Sequence, residues 1–115
     1  MGEYADVGGH HIHAKAVFRG DVDYDSERGL SISQEFMEKN GLNHQIITSK
    51  QRKLFKELYE SGRPNTLDEH MRTAREALKA GGASDSLIND LLIKSLANLK
   101  EQGVTQPTRI PWYSK

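Results

Sequence analysis

Gly8-Gly9-His10-His11-Ile12-His13-Ala14-Lys15-Ala16-Val17-Phe18 is the stretch on which the chain turns. Its apolar end and its alternation read as a β-strand over 10–18, entered through two glycines that allow a tight turn and a close backbone approach. In an extended chain His11 and His13 share one face, and His10 and Ile12 the other. Three of the five histidines therefore crowd one strand end. Neutral imidazole is both a metal ligand and, near neutral pH, a general base. The cluster is a candidate site, and the bland alternative is a solvated, histidine-rich strand end. A purification tag would be a longer unbroken run; this one is broken by Ile12 and continues into an apolar segment.

Outward from the strand, residues 1–9 are small, acidic and Gly-rich, and read as a leader or linker. The remaining 10–115 is the length of one domain. Residues 19–29 form a loop dense in Gly, Asp and Ser. Asp21, Asp23 and Asp25 alternate there, but the Gly and Glu of a calcium loop are missing, so the loop is read as solvated and acidic. Leu30-Ser31-Ile32 is a short second strand pairing back on the first.

From Ser33 the pattern turns helical. Ser33 caps a short helix carrying Phe36 and Met37, which ends at Asn40-Gly41. Residues 42–47 read as a connector. Thr48-Ser49-Lys50-Gln51 is a capping box that opens a helix with Leu54, Phe55, Leu58 and Tyr59 on its apolar face, stopping at Gly62. Thr66-Leu67-Asp68-Glu69 is a second box, and its helix runs to Gly81-Gly82 with Leu67, Met71, Ala74 and Leu78 inward. Ser84 caps the longest helix, with Leu87, Ile88, Leu91, Leu92, Leu96 and Leu99 inward and Gly103 as its stop. Two prolines keep the tail extended, and Trp112 is expected to pack back on the helices. The fold class is α+β, mainly α: a short N-terminal β-hairpin followed by a bundle of about four helices.

Apolar residues make up 36% and charged residues 28% of the chain, which fits a polar-surfaced domain. No apolar run reaches the roughly 18 residues of a membrane span. No basic-then-apolar signal segment opens the chain. With no cysteine, a metal would need His, Asp, Glu or Asn. The net charge is zero, so the chain as a whole is no electrostatic nucleic-acid binder. The densest basic patch, Lys50, Arg52, Lys53 and Lys56, can meet phosphates locally, although an ordinary solvated helix face looks the same in sequence. His44 follows Asn43 in the connector. His70 lies in the first turns of a helix, where the dipole disfavours an imidazolium and keeps a ligand or base neutral.

A strand with paired histidines, a later Asn-His and a helix His occur in the order that resembles HNH/endonuclease VII-like nucleases. In that superfamily a β-hairpin and a helix clasp one divalent ion. The resemblance implies that His10 and His11 match the strand pair, one as general base and one as ligand. It implies that Asn43 and His44 match the middle element, which orients the base or binds the ion, and that His70 is the helix ligand. His13 has no fixed place in the pattern and is a further candidate ligand. The segments Ser31-Ile32-Ser33-Gln34, Asn43-His44-Gln45, residues 61–66 and residues 108–112 also resemble the C-terminal toxin modules of bacterial polymorphic toxins of the LXG, Rhs and contact-dependent-inhibition kind.

Together these imply a secreted or delivered monomeric toxin nuclease, acting in the cytoplasm of the target cell and neutralised by a cognate immunity protein. In the metal scheme Mg²⁺, Mn²⁺ or Zn²⁺ polarises the scissile phosphate, His11 activates water, and Lys15 or the basic patch offsets charge. DNA is the first expected substrate. Two alternatives stay open. One is a metal-free ribonuclease using a pair of imidazoles as acid and base. The other is a non-catalytic binding module whose functional surface is the helical half and whose histidines form a pH-sensitive or structural metal site.

Overall fold

A computed structural model describes residues 2–4, 8–12, 24–25, 28–107 and 110. His13, Lys15, the rest of the expected strand over 13–18, Asp21, Asp23 and Trp112 lie outside the described residues. Among those described, three short strands form one sheet: β1 (Gly2–Glu3), β2 (His10–His11) and β3 (Leu30–Ile32). The order is β1-β3-β2, and both pairings are antiparallel. The expected hairpin is present as β2 on β3, with His10 opposite Ile32 and His11 opposite Ser31. Gly2–Glu3, inside the segment read as a leader, adds a third strand by pairing with the other edge of β3. Tyr4 N–H extends the contact by donating to the Gly29 carbonyl at 2.8 Å.

Four helices follow: α1 (Gln34–Lys39), α2 (His44–Ser61), α3 (Leu67–Ala80) and α4 (Asp85–Glu101). Three of their starts are the caps read from sequence. Ser33, Thr66 and Ser84 each accept a hydrogen bond from the backbone N–H three residues on. The start of α2 differs. Residues 44–47 are helical rather than a connector, and Asn43 is the N-cap, its side chain accepting from Ile46 N–H at 3.0 Å. The reason is local. Leu42 precedes the cap and Ile47 is the fourth helical residue, the positions of a hydrophobic staple, and both are buried in the same core. That staple outweighs the capping box at Thr48, which becomes a mid-helix residue.

Helices α2 and α3 run antiparallel through the turn after Gly62, where a left-handed φ of 72° ends α2. The far end of the pair is closed by Asn43 N–H donating to the Gly81 carbonyl at 3.0 Å. A Cβ on Gly81 would lie 2.4 Å from the Ile47 side chain, so the glycine is what lets the helices meet there.

The interior has two apolar clusters. The larger joins the sheet to the helices through Ile12, Ile32, Met37, Ile47, Leu78 and Leu91. The smaller holds Phe55, Leu58, Leu99, Val104 and Ile110. Tyr59, expected on the buried face of α2, is instead 54% exposed. Among the described residues no helix is long and apolar enough to cross a membrane.

Candidate functional site

Gly8 and Gly9 have φ values of 61° and 80°, so both take the left-handed conformation that the sequence pair favours. A Cβ on Gly9 would sit 2.1 Å from the Ile32 carbonyl oxygen. The bare glycine therefore allows β2 to close on β3, and that closure delivers His10 to the interior. His10 is 8% exposed, on the same strand face as buried Ile12. Its ring meets the ring of His44 edge-on, with centroids 4.9 Å apart. Burial, and then the neighbouring His44 and His11, push the His10 pKa down to about 4. His10 is consequently neutral at pH 7. Its Nε2 is buried and has no hydrogen-bond partner among the described residues.

His44 is the first residue of α2 and faces solvent. It stands at one end of an open pocket of about 640 Å³, whose described lining is His44, Gln45, Thr48, Ser49, Arg52, Lys53 and Lys56. Those positions advance by three or four residues, with neighbours, so they form one stripe along the outer face of α2. The lining holds three cations and no carboxylate. In a chain of zero net charge this is a local concentration of positive potential. Lys56 is also 3.8 Å from Glu60, but both side chains are more than half exposed, and such a pair is worth little. Lys50, the fourth base of the patch, is off the stripe and partly buried.

His11 lies on the other face of β2 and stacks on Tyr4, ring centroids 4.4 Å apart. The structure therefore brings His10, rather than His11, against His44. Asn43 spends its side-chain oxygen on the α2 cap.

His70 does not join the cluster. It is 2% exposed, its ring lies 5.3 Å from that of Phe55, and its Nε2–H donates to Asn65 Oδ1. Phe55 is on the order of 16 Å along α2 from His44, at ~1.5 Å per residue. Burial lowers the His70 pKa to about 4, against an opposing pull from Glu69. His70 is a core histidine. Of the expected ligands His10, His13, His44 and His70, only His10 and His44 are brought together among the described residues. No three His, Cys, Asp or Glu residues converge there. The described donors thus fall short of the set that a zinc-like site requires.

Gln45, Thr48 and Ser49 are not legible as lining residues in the sequence, because a helix that starts at Thr48 hides the stripe that begins at His44. No protein family, curated protein or solved structure matches the chain.

Proposed function

We propose that this chain is a toxin nuclease that cleaves phosphodiester bonds of nucleic acid. The observation that carries the reading is the contact between buried His10 and exposed His44 at the head of a groove lined by Arg52, Lys53 and Lys56. The segments that resemble polymorphic-toxin modules support it.

The arrangement divides the work. Arg52, Lys53 and Lys56 offset the charge of a bound phosphodiester and of the more highly charged transition state. His44, open to the groove, exchanges a proton with the attacking or leaving oxygen. His10 acts through His44. Held neutral by burial, it flanks the ring without placing a second positive charge against a protonated His44. His11, whose ring Tyr4 holds by stacking, is a second imidazole on the same strand. The setting in which such an activity is useful is competition between bacteria: delivery into the cytoplasm of another cell, with an immunity protein protecting the producer. An immunity protein with an acidic surface would be steered to the α2 stripe by charge.

Expression of the chain in unprotected cells should arrest growth, and His44→Ala should relieve the arrest while the purified variant keeps the wild-type circular dichroism spectrum. Equal toxicity of the two proteins would remove His44 from the mechanism. Assays of the purified protein with EDTA and with added Mg²⁺, Mn²⁺ or Zn²⁺ tell whether an ion takes part.

A further inference from the structure

The stripe on α2 does not end at the groove. At ~100° per residue, Tyr59 falls between Thr48 and Arg52 around the helix, one turn beyond Phe55 and Lys56. It is 54% exposed, an aromatic ring presented on the same outer face as the cations. The apolar side of α2, with Ile47, Leu54, Phe55 and Leu58, is turned away into the core.

We propose that the stripe from His44 to Tyr59 binds one unpaired nucleic-acid strand, its phosphates on Arg52, Lys53 and Lys56 and a base stacked on Tyr59. The inference rests on the nuclease reading for its purpose but not for its test. Three features carry it. The first is charge: three cations and no carboxylate among the described groove lining match a polyanion, while Glu60, beside Tyr59 on the same face, lies 3.8 Å from Lys56 at the far end. The second is length. His44 to Lys56 spans ~18 Å of helix, room for about five phosphates of a stacked strand at ~3.4 Å each, and fewer if the strand is extended. The third is the ring. A cationic track with an aromatic platform holds single strands, because an unpaired base offers its π-face. A duplex hides those faces within its stack. Gln45, Thr48 and Ser49, beside His44, supply neutral donors and acceptors for sugar and base edges at the chemical end of the track.

The test is fluorescence anisotropy with His44→Ala protein, the integrity of the probe checked by gel after each titration, using a labelled single strand, its perfect duplex and poly-glutamate. The single strand should bind at least tenfold tighter than the duplex. Tyr59→Ala should weaken the single strand about tenfold and leave the duplex unchanged, and Tyr59→Phe should retain the wild-type affinity. With three phosphates engaged, log K should fall with log salt at a slope of about −2, and each of Arg52→Ala, Lys53→Ala and Lys56→Ala should reduce the slope by about 0.7. Equal binding of strand and duplex, or an unaltered affinity in Tyr59→Ala, would overturn the proposal. Binding of poly-glutamate in preference to either nucleic acid would overturn it too, and would assign the stripe to an acidic protein. Wild-type protein that binds the strand without cutting it would end the nuclease reading and leave this one standing. Equal binding and cleavage of duplex would do the reverse.

Discussion

His10 and His70 are both buried and both hold pKa values near 4, yet they serve different ends. His10 presses on an exposed imidazole in a charged groove. His70 presses on Phe55 and completes a pair with Asn65. Each ring imposes a pH dependence on the fold. Well above pH 6.5 both are neutral, folded or unfolded. Between 6.5 and about 4 the unfolded chain takes up protons that the folded chain refuses, so stability falls as the pH falls. Each ring contributes a loss of about 3 kcal/mol at most, because burial holds it near 4 rather than 6.5. Urea melts at pH 7, 5.5 and 4.5 should show a decreasing midpoint. His70→Phe removes one titrating ring from an apolar setting and should flatten the decline. An unchanged pH slope in that variant would mean that His70 is not the buried neutral group described here. Only part of this was legible in the sequence. The strand cluster marks a site by composition, but nothing in the chain order separates a core histidine from a ligand. Partnership in space decides that, and the place of His70 in the motif order carries no such information.

At the scale of elements, the caps and glycine stops of α1, α3 and α4 were legible because each is a local rule satisfied by local residues. The start of α2 was not, because two signals compete over residues 42–51 and the winner is chosen by burial of Leu42 and Ile47. The consequence reaches the site, since His44 points into the groove only because α2 begins there. Asn43→Ala should therefore cost about 1 kcal/mol of stability. Asn43→Ser keeps a capping oxygen and should restore both stability and activity. Loss of activity in a stable Asn43→Ser protein would give Asn43 a role beyond the cap. Gly9 is the corresponding hinge of the sheet. Gly9→Ala places a methyl against the Ile32 carbonyl and forces a left-handed alanine, so it should destabilise the fold by at least about 2 kcal/mol and unseat His10. Thermal melts and the cell-growth assay read both effects; a Gly9→Ala protein with wild-type melting would contradict the close approach of β2 to β3.

Across the whole molecule, the mainly helical α+β class followed from periodicity and breakers, and among the described residues the pairing of Gly2–Glu3 adds a strand to the expected hairpin. The site was legible as an inventory but not as a map. Among the described candidates the fold gathers His10, His44, Arg52, Lys53 and Lys56, leaves Asn43 to a cap and sends His70 to the second core. Among the described residues of a neutral chain, the α2 stripe is a cationic face with an imidazole at its head. That asymmetry is the basis for expecting a polyanionic substrate and an acidic inhibitor. A co-expressed immunity protein that requires Arg52, Lys53 or Lys56 for binding should lose affinity steeply as salt is raised; salt-independent capture would place its docking surface elsewhere.

The most direct measurement is a cleavage assay with purified wild-type and His44→Ala proteins on labelled RNA and DNA strands, at equal concentration and with the fold of each verified by circular dichroism. The wild type should cleave at least one of these strands, and His44→Ala should lose at least a hundredfold in rate, within the usual range for a general acid or base. Wild-type protein that leaves both strands intact, with and without added divalent ions, or a His44→Ala protein that cuts as fast as the wild type, would contradict the proposed function.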